Sequence, residues 1–296
     1  MLKRFGLFAL VNIGVLLTIN IIMQVLGLNH TLTSAGINYQ ALMVFCLLYG
    51  MGGAFVSLLL SKKIAKWTMG LQLVEPSRAS GPERQLLDAV YRLARQAQLG
   101  EMPEVAIYPS PELNAFATGP SRSNSLVAVS TGLLERMDSR EVEAVLAHEV
   151  SHIANGDMVT MTLLQGVINA FVIFFAKVVA WLAAQAMQRD DDEGPSFMLM
   201  FMLEMALQVV FGLLGSLVVA WFSRQREFRA DAGAARLVGS AGMIAALQRL
   251  GSSAVVDPPQ RAGDAVAAFK IAGSGGFLAL LSTHPPLSER INRLRG

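Results

Sequence analysis

Residues 139–157 read SREVEAVLAHEVSHIANGD. Ser139 suits an N-cap, and Glu141 and Glu143 suit the positive end of a helix dipole. A helix is therefore expected from Arg140 to about Asn155, with Gly156 as its stop. On it His148 and His152 stand four residues apart, so both imidazoles share one face and reach one ion. Glu149, one residue on, reaches past them toward a water on that ion. The division of labour follows from the chemistry. The imidazoles hold Zn2+ and lower the pKa of the water, while the carboxylate takes its proton and returns it to a leaving amine. A bare pentapeptide of this kind also arises by chance on an amphipathic helix with core histidines. Here the chain has only four histidines, and two occupy these positions. A catalytic zinc site still requires a third protein ligand.

Outward from this helix the chain turns apolar. Four runs reach the roughly 20 residues that a membrane span needs: about Phe5–Leu26, Tyr39–Leu60, Met161–Ala186 and Phe197–Phe222. Composition agrees, with 53% of the 296 residues hydrophobic and 16% charged, where a soluble domain is about one quarter charged. The first run follows Lys3 and Arg4 as a signal peptide would. It is too long for a cleaved one, and a second run follows closely, so an uncleaved anchor is expected. Lys62, Lys63 and Lys66 follow the second run, and Arg224, Arg226 and Arg229 follow the fourth. The connection His30–Asn38 has no Lys or Arg, and Arg189–Glu193 is mostly acidic. The positive-inside rule then puts both termini and Ser61–Val159 in the cytoplasm, with Arg189 the one dissenting charge. Lys177 and Glu204 interrupt the third and fourth runs at similar depth, which suits an interhelical ion pair or snorkelling of Lys177. Gly50, Gly52 and Gly53 permit close helix packing.

Between the second and third runs the pattern is that of a soluble domain. Arg84–Leu99 spaces its apolar residues as a helix does, and Glu104–Tyr108, Asn114–Thr118 and Leu126–Ser130 suit short strands. A small sheet beside helices is expected, giving an α+β domain. After the fourth run, helices are expected at Ala241–Leu250 and Leu287–Leu294. Gly251–Phe277, rich in Gly, Ala, Ser and Pro, suits a loop. The chain thus divides into a first transmembrane hairpin (1–60), a first part of the cytoplasmic catalytic domain (61–159), a second hairpin (160–222) and a second cytoplasmic part (223–296). A net charge of +2 without a basic cluster argues against a nucleic-acid partner. Cys46 is alone, so no intramolecular disulfide forms.

The third ligand is sought in Ser223–Asp231. Glu227 and Asp231 stand four apart on one helical face. Glu227 suits a ligand, and Asp231 suits an acceptor for the N–H of a ligand imidazole, fixing its tautomer. A solvated charged helix end is the bland alternative. The hairpin between His152 and Glu227 would return both to one membrane face.

Taken together, these motifs resemble the HtpX-type integral-membrane zinc peptidases of bacteria, within the gluzincin class. The resemblance runs nearly end to end: two N-terminal spans, Asn114–Gly119, Ser130–Leu134, Ala147–Asp157, Ser223–Asp231 and His284-Pro285-Pro286. It implies a mainly α membrane protein of four transmembrane helices with a cytoplasmic, zincin-like α+β domain in the bacterial inner membrane. It implies one Zn2+ per chain on His148, His152 and Glu227, with Glu149 as general base. It also implies quality control of damaged or misfolded membrane proteins, a stress-response role. Asn114-Ala115-Phe116 resembles an edge strand that holds an extended substrate, though Asn114 equally suits a simple turn. His284 suits a donor to the tetrahedral oxyanion, a fourth ligand at rest, or a structural role before Pro285. Among rivals, a peptidase trimming prenylated C-termini would need a larger intramembrane chamber than four spans offer. A zinc transporter or sensor would need His, Asp or Glu at matching depths within the spans, where only Glu204 and Lys177 are available and the histidines are outside the lipid. An inactive scaffold is disfavoured by the presence of Glu149.

Overall fold

The computed structural model describes Ile21 and residues 32–33, 36–187, 197–256 and 282–296. The first apolar run apart from Ile21, the acidic loop and residues 257–281 lie outside the described residues. The chain divides into two compact units, one of Met1–Ser57 with Met161–Val219 and one of Leu58–Thr160 with Ala220–Gly296.

In the first unit a short antiparallel hairpin, β1 (Leu32–Thr33) and β2 (Gly36–Ile37), precedes α1 (Tyr39–Met69). Among the described residues three helices are long and apolar enough to cross a membrane, over Gln40–Met69, Asp157–Met187 and Met198–Val238. Their outward residues are large and apolar, such as Leu47, Phe55, Phe171 and Leu213. Their contacts use small ones: Ala170, Ala176, Ala180 and Ala184 are buried. Without a hydrophobic drive between helices, small residues let the backbones approach and gain contact. Gly50 passes so close to Ala170 that no Cβ would fit, whereas Gly53 faces open space. Lys177 Nζ lies 2.9 Å from Glu204 Oε1, and Gln208 donates to the same oxygen at 3.1 Å. The two charges are thus paired.

The second unit takes the C-terminal end of α1 and then β3 (Gln72–Leu73), α2 (Gly81–Gln96), β4 (Glu104–Tyr108), β5 (Ala115–Thr118) and β6 (Leu126–Ser130). The sheet runs β3-β4-β6-β5, with β4 and β6 parallel and the outer pairs antiparallel, so β5 is an edge. β6, central and buried throughout, reads Leu-Val-Ala-Val-Ser, as a strand covered on both faces does. α2 buries Leu86, Leu87, Val90, Leu93 and Ala94, one stripe at helical spacing. β3 has two residues, too few to leave a period in the sequence.

After α3 (Thr131–Arg136) comes α4 (Ser139–Asn155), whose cap differs from the one expected. Asp138, not Ser139, is the N-cap. Its carboxylate accepts from the amides of Arg140 and Glu141, and Glu141 reaches back to the Asp138 amide at 3.0 Å, a complete capping box. Gly156 ends the helix at φ 70°, where a Cβ would be strained. The next residue begins α5 (Asp157–Met187), and α6 (Phe197–Val238) runs unbroken for 42 residues. At 1.5 Å per residue α6 is about 63 Å long, roughly twice the hydrocarbon thickness. Its last turns therefore belong to the second unit, and they carry Glu227 and Asp231. α7 (Ser240–Val256) and α8 (Leu287–Arg295) follow. α7 continues through Gly251, so the stretch expected to be a loop begins as helix.

Candidate metal centre

α4 presents His148 and His152 from one buried face, and α6 brings Glu227 opposite them. The two Nε2 atoms lie 3.1 Å apart. Glu227 Oε1 is 3.3 Å from His152 Nε2, and Oε2 is 3.6 Å from His148 Nε2. Ligand atoms about 2.0–2.1 Å from a tetrahedral zinc stand about 3.3 Å from one another, so these separations fit that ion. The two imidazoles and the carboxylate are all buried and form a set able to hold a metal. A bare cluster of this kind would be a poor core, because buried polar groups cost free energy unless partnered.

Each ring has a carboxylate behind it. His152 Nδ1 lies 2.6 Å from Asp157 Oδ2 in hydrogen-bonding geometry. His148 Nδ1 lies 2.9 Å from Asp231 Oδ1, but bent too far off line for a hydrogen bond, so this contact is electrostatic. Asp231 thus stands beside the ring of His148, but without the hydrogen bond that the sequence suggested. Burial works against charge on both rings, yet the carboxylates prevail. Asp231 and Glu227 raise His148 above its ordinary value, and Asp157 and Glu227 raise His152 to about 9.

The spacing of α4 and α6 rests on a glycine. At Gly233 a Cβ would stand 2.6 Å from Ser151 Oγ and 2.9 Å from Ser151 Cβ, so only glycine lets the helices come this close. Glu149 shares α4 with the histidines and is half-buried, against their nearly complete burial. His284, exposed, sets Nδ1 3.1 Å from Glu227 Oε2. Its segment is tied down where Arg224 donates to the Ser282 carbonyl and Ser282 Oγ to that of His284.

The edge strand β5 lies along α4. Asn114 precedes it, with an exposed side chain and an anchored backbone. Its amide donates to Ser130 Oγ at 3.2 Å, and its carbonyl accepts from the Ser130 amide at 3.0 Å. Asn114 therefore extends the pairing of β5 with β6 and presents its side chain to solvent. Phe116 packs on Tyr108, with ring centroids 5.7 Å apart.

Residues 80–296 match the model of Peptidase family M48. The chain belongs to that family. Protease HtpX of Shewanella oneidensis is 51% identical over 298 residues, covering 99% of each chain. The Protease HtpX homolog of Methylacidiphilum infernorum is 48% identical over 302 residues, covering 99% of this chain and 98% of its own. The crystal structure of S. mikatae Ste24p shares the fold, with a TM-score of 0.70 at 16% identity. The chain aligns over its whole length but spans only 65% of the Ste24p chain. This M48 peptidase is thus a membrane metallopeptidase of the HtpX type. Two residues behind its donor set carry no signal in the sequence pattern, Asp157 and Arg290. Asp157 follows the Gly156 stop and reads as the first turn of an apolar helix. Arg290 is 59 residues beyond Asp231, and no spacing rule connects them.

Proposed function

We propose that the chain is a zinc-dependent endopeptidase of the bacterial inner membrane that cleaves cytosolic loops and tails of misfolded or damaged membrane proteins. The observation that carries this reading is the convergence of His148, His152 and Glu227 on one ion-sized space. Both helices bearing these residues lead directly into apolar spans. Glu227 is five residues beyond Phe222, about 7.5 Å along the helix axis, so the centre stands close to the bilayer surface. The charged flanks support four spans with both termini and the centre on the cytoplasmic side.

In this reading His148, His152 and Glu227 hold one zinc ion. Bound there, zinc supplies a Lewis acid that polarises the scissile carbonyl and makes a water acidic. Glu149, less buried than the ligands, accepts a proton from the attacking water and delivers it to the departing amine. Asp157 holds the His152 proton on Nδ1 through its hydrogen bond, and the Asp231 charge beside His148 Nδ1 favours a proton there, so both Nε2 atoms are left to ligate. β5, with Asn114, Ala115 and Phe116, offers backbone groups to an extended peptide, a mode that reads sequence loosely. His284 is exposed beside Glu227, where it can donate to the developing oxyanion. A loose sequence preference and a bilayer-proximal centre together suit unfolded segments of membrane proteins.

The test compares wild type with Glu149→Gln, measuring bound zinc and cleavage of casein. Zinc retained with cleavage reduced by orders of magnitude supports the reading. Equal cleavage by both proteins refutes it and leaves a transport or scaffold role.

A further inference from the structure

Arg290 reaches the centre from the far end of the chain. It lies buried on α8, and its guanidinium forks onto Asp231, with Nε 2.7 Å from Oδ2 and Nη2 2.6 Å from Oδ1. Its Nη1 stands 3.7 Å from Glu227 Oε2. Asp231 Oδ1 also faces His148 Nδ1 at 2.9 Å, so one oxygen serves both the guanidinium and the ring. We propose that Arg290 is a positioning residue of the metal centre. By fixing the Asp231 carboxylate that orients His148, it raises the affinity for the metal without touching metal or substrate. This rests on His148, His152 and Glu227 being the ligands.

Charge and shape both single out Arg290. Asp231 and Glu227 are each 2% exposed, one helical turn apart. Two such carboxylates repel each other and would favour protonation unless a cation stands by. With the metal bound, the ligating imidazoles are neutral and the ion would offset the charge of its ligand Glu227, whereas Asp231 is not a ligand and has Arg290 as its direct cationic partner. Among the described residues Arg290 is the only buried Lys or Arg, and a guanidinium stays protonated throughout the working pH range. Its planar fork also sets the tilt of the carboxylate, which an ammonium would neutralise without orienting.

The other ring is served differently. Asp157 is the first residue of α5, directly after the Gly156 cap, so the backbone fixes its place. Its nearest arginine, Arg229, is exposed and 3.7 Å from Oδ1. Asp231 stands within a continuous helix, and Arg290 supplies the constraint. α8 has a second anchor of its own, with Arg293 stacked over Phe228 at 3.6 Å. Leu287, Ile291 and Leu294 pack on the core as well. Loss of the Arg290 fork alone should therefore leave the helix docked.

The test titrates zinc into the full-length chain in detergent against a chromogenic chelator, with helix content checked by circular dichroism. Arg290→Met should lower zinc affinity about 10- to 100-fold, the usual effect of losing an outer-shell partner. Arg290→Lys should recover only part of that loss. Asp231→Asn combined with Arg290→Met should bind no more weakly than Asp231→Asn alone. Affinity of Arg290→Met within about threefold of wild type overturns the proposal. So does a double variant far weaker than Asp231→Asn, since Arg290 would then act elsewhere. If Arg290→Met fails to fold, Arg290→Lys decides, and wild-type affinity there overturns the role of the fork. A His152→Ala control that binds zinc as wild type does would instead overturn the ligand reading itself.

Discussion

Replacing Gly233 by alanine should separate the stability of the fold from the competence of the centre. The added Cβ would stand 2.9 Å from Ser151 Cβ and 2.6 Å from Ser151 Oγ. Carbon atoms rest about 3.5 Å or more apart, so α4 and α6 must part by about 0.6 Å. Ser151 cannot swing clear cheaply, because its hydroxyl donates to the Ala147 carbonyl at 2.7 Å in a buried setting. Overpacking of this kind costs about 1–3 kcal/mol, and alanine in place of a helical glycine returns about 1 kcal/mol. The net loss of stability is thus about 0–2 kcal/mol, little for thermal unfolding to register. The centre is less tolerant. Metal–ligand distances hold within about 0.2 Å, and a 0.6 Å retreat carries Glu227 and Asp231 away from both histidines. We expect zinc affinity to fall at least tenfold with casein cleavage falling in parallel, read by chelator competition and by a fluorescent casein assay. Ser151→Gly in the same chain removes both clashing atoms and should restore most of the affinity. An affinity within about twofold of wild type in Gly233→Ala would refute the idea that this contact sets the spacing of the helices.

Further outcomes follow from the same geometry. Asp157→Asn keeps the size of the side chain but loses the charge behind His152, so zinc affinity should drop about 10- to 100-fold; unchanged binding would sink that role. The pH dependence has a definite sign. In metal-stripped protein His152 titrates near 9 instead of the ordinary value for histidine, so its charged contacts stabilise the fold fully below about pH 6.5. That contribution is lost as pH rises through about 9. Stripped protein should therefore unfold at lower temperature at pH 9 than at pH 6.5, and a flat profile would contradict the raised value. Zinc must displace the same protons, so its apparent affinity should rise over this window while the stripped fold weakens. Calorimetry in buffers of different ionisation enthalpy would count the protons released.

Much of the fold is legible because local chemistry and tertiary demand agree. Glu104–Tyr108 and Leu126–Ser130 are strands with the boundaries their composition suggests, since short runs of apolar residues between turn residues have few other uses. The apolar runs are equally plain, but their helices are longer than the runs. α1 continues to Met69 and α6 to Val238, because a helix persists while its new face finds packing, whatever the hydropathy. Lys62 and Lys66 illustrate this. Read as topological charges, they are also held by Glu104 at 3.1 Å and 2.6 Å. The cap of α4 stands one residue from its expected place for a similar reason. Ser139 and Asp138 both suit the position, and Asp138 prevails by serving two amides while Glu141 answers it.

The donor set divides along the same line. His148 and His152 lie on one helix, where a spacing of four is a distance, so the pair can be read directly. Glu227 cannot be reached that way, since no rule relates positions across a hairpin of about 70 residues. It is legible only because the charge flanks predict, from the sequence, both ends of the hairpin on one side of the membrane. Arg290 offers neither handle. Its helix is short, polar and distant, and Leu287–Arg295 presents three arginines with nothing to mark one as buried. What marks it is the demand at the other end. Asp231 and Glu227 are two carboxylates on one face of one helix; Glu227 belongs to the donor set, and burying Asp231 behind it calls for a cation from outside that helix. The missing charge, rather than another ligand, is the signal that leads from α6 to the C-terminal segment.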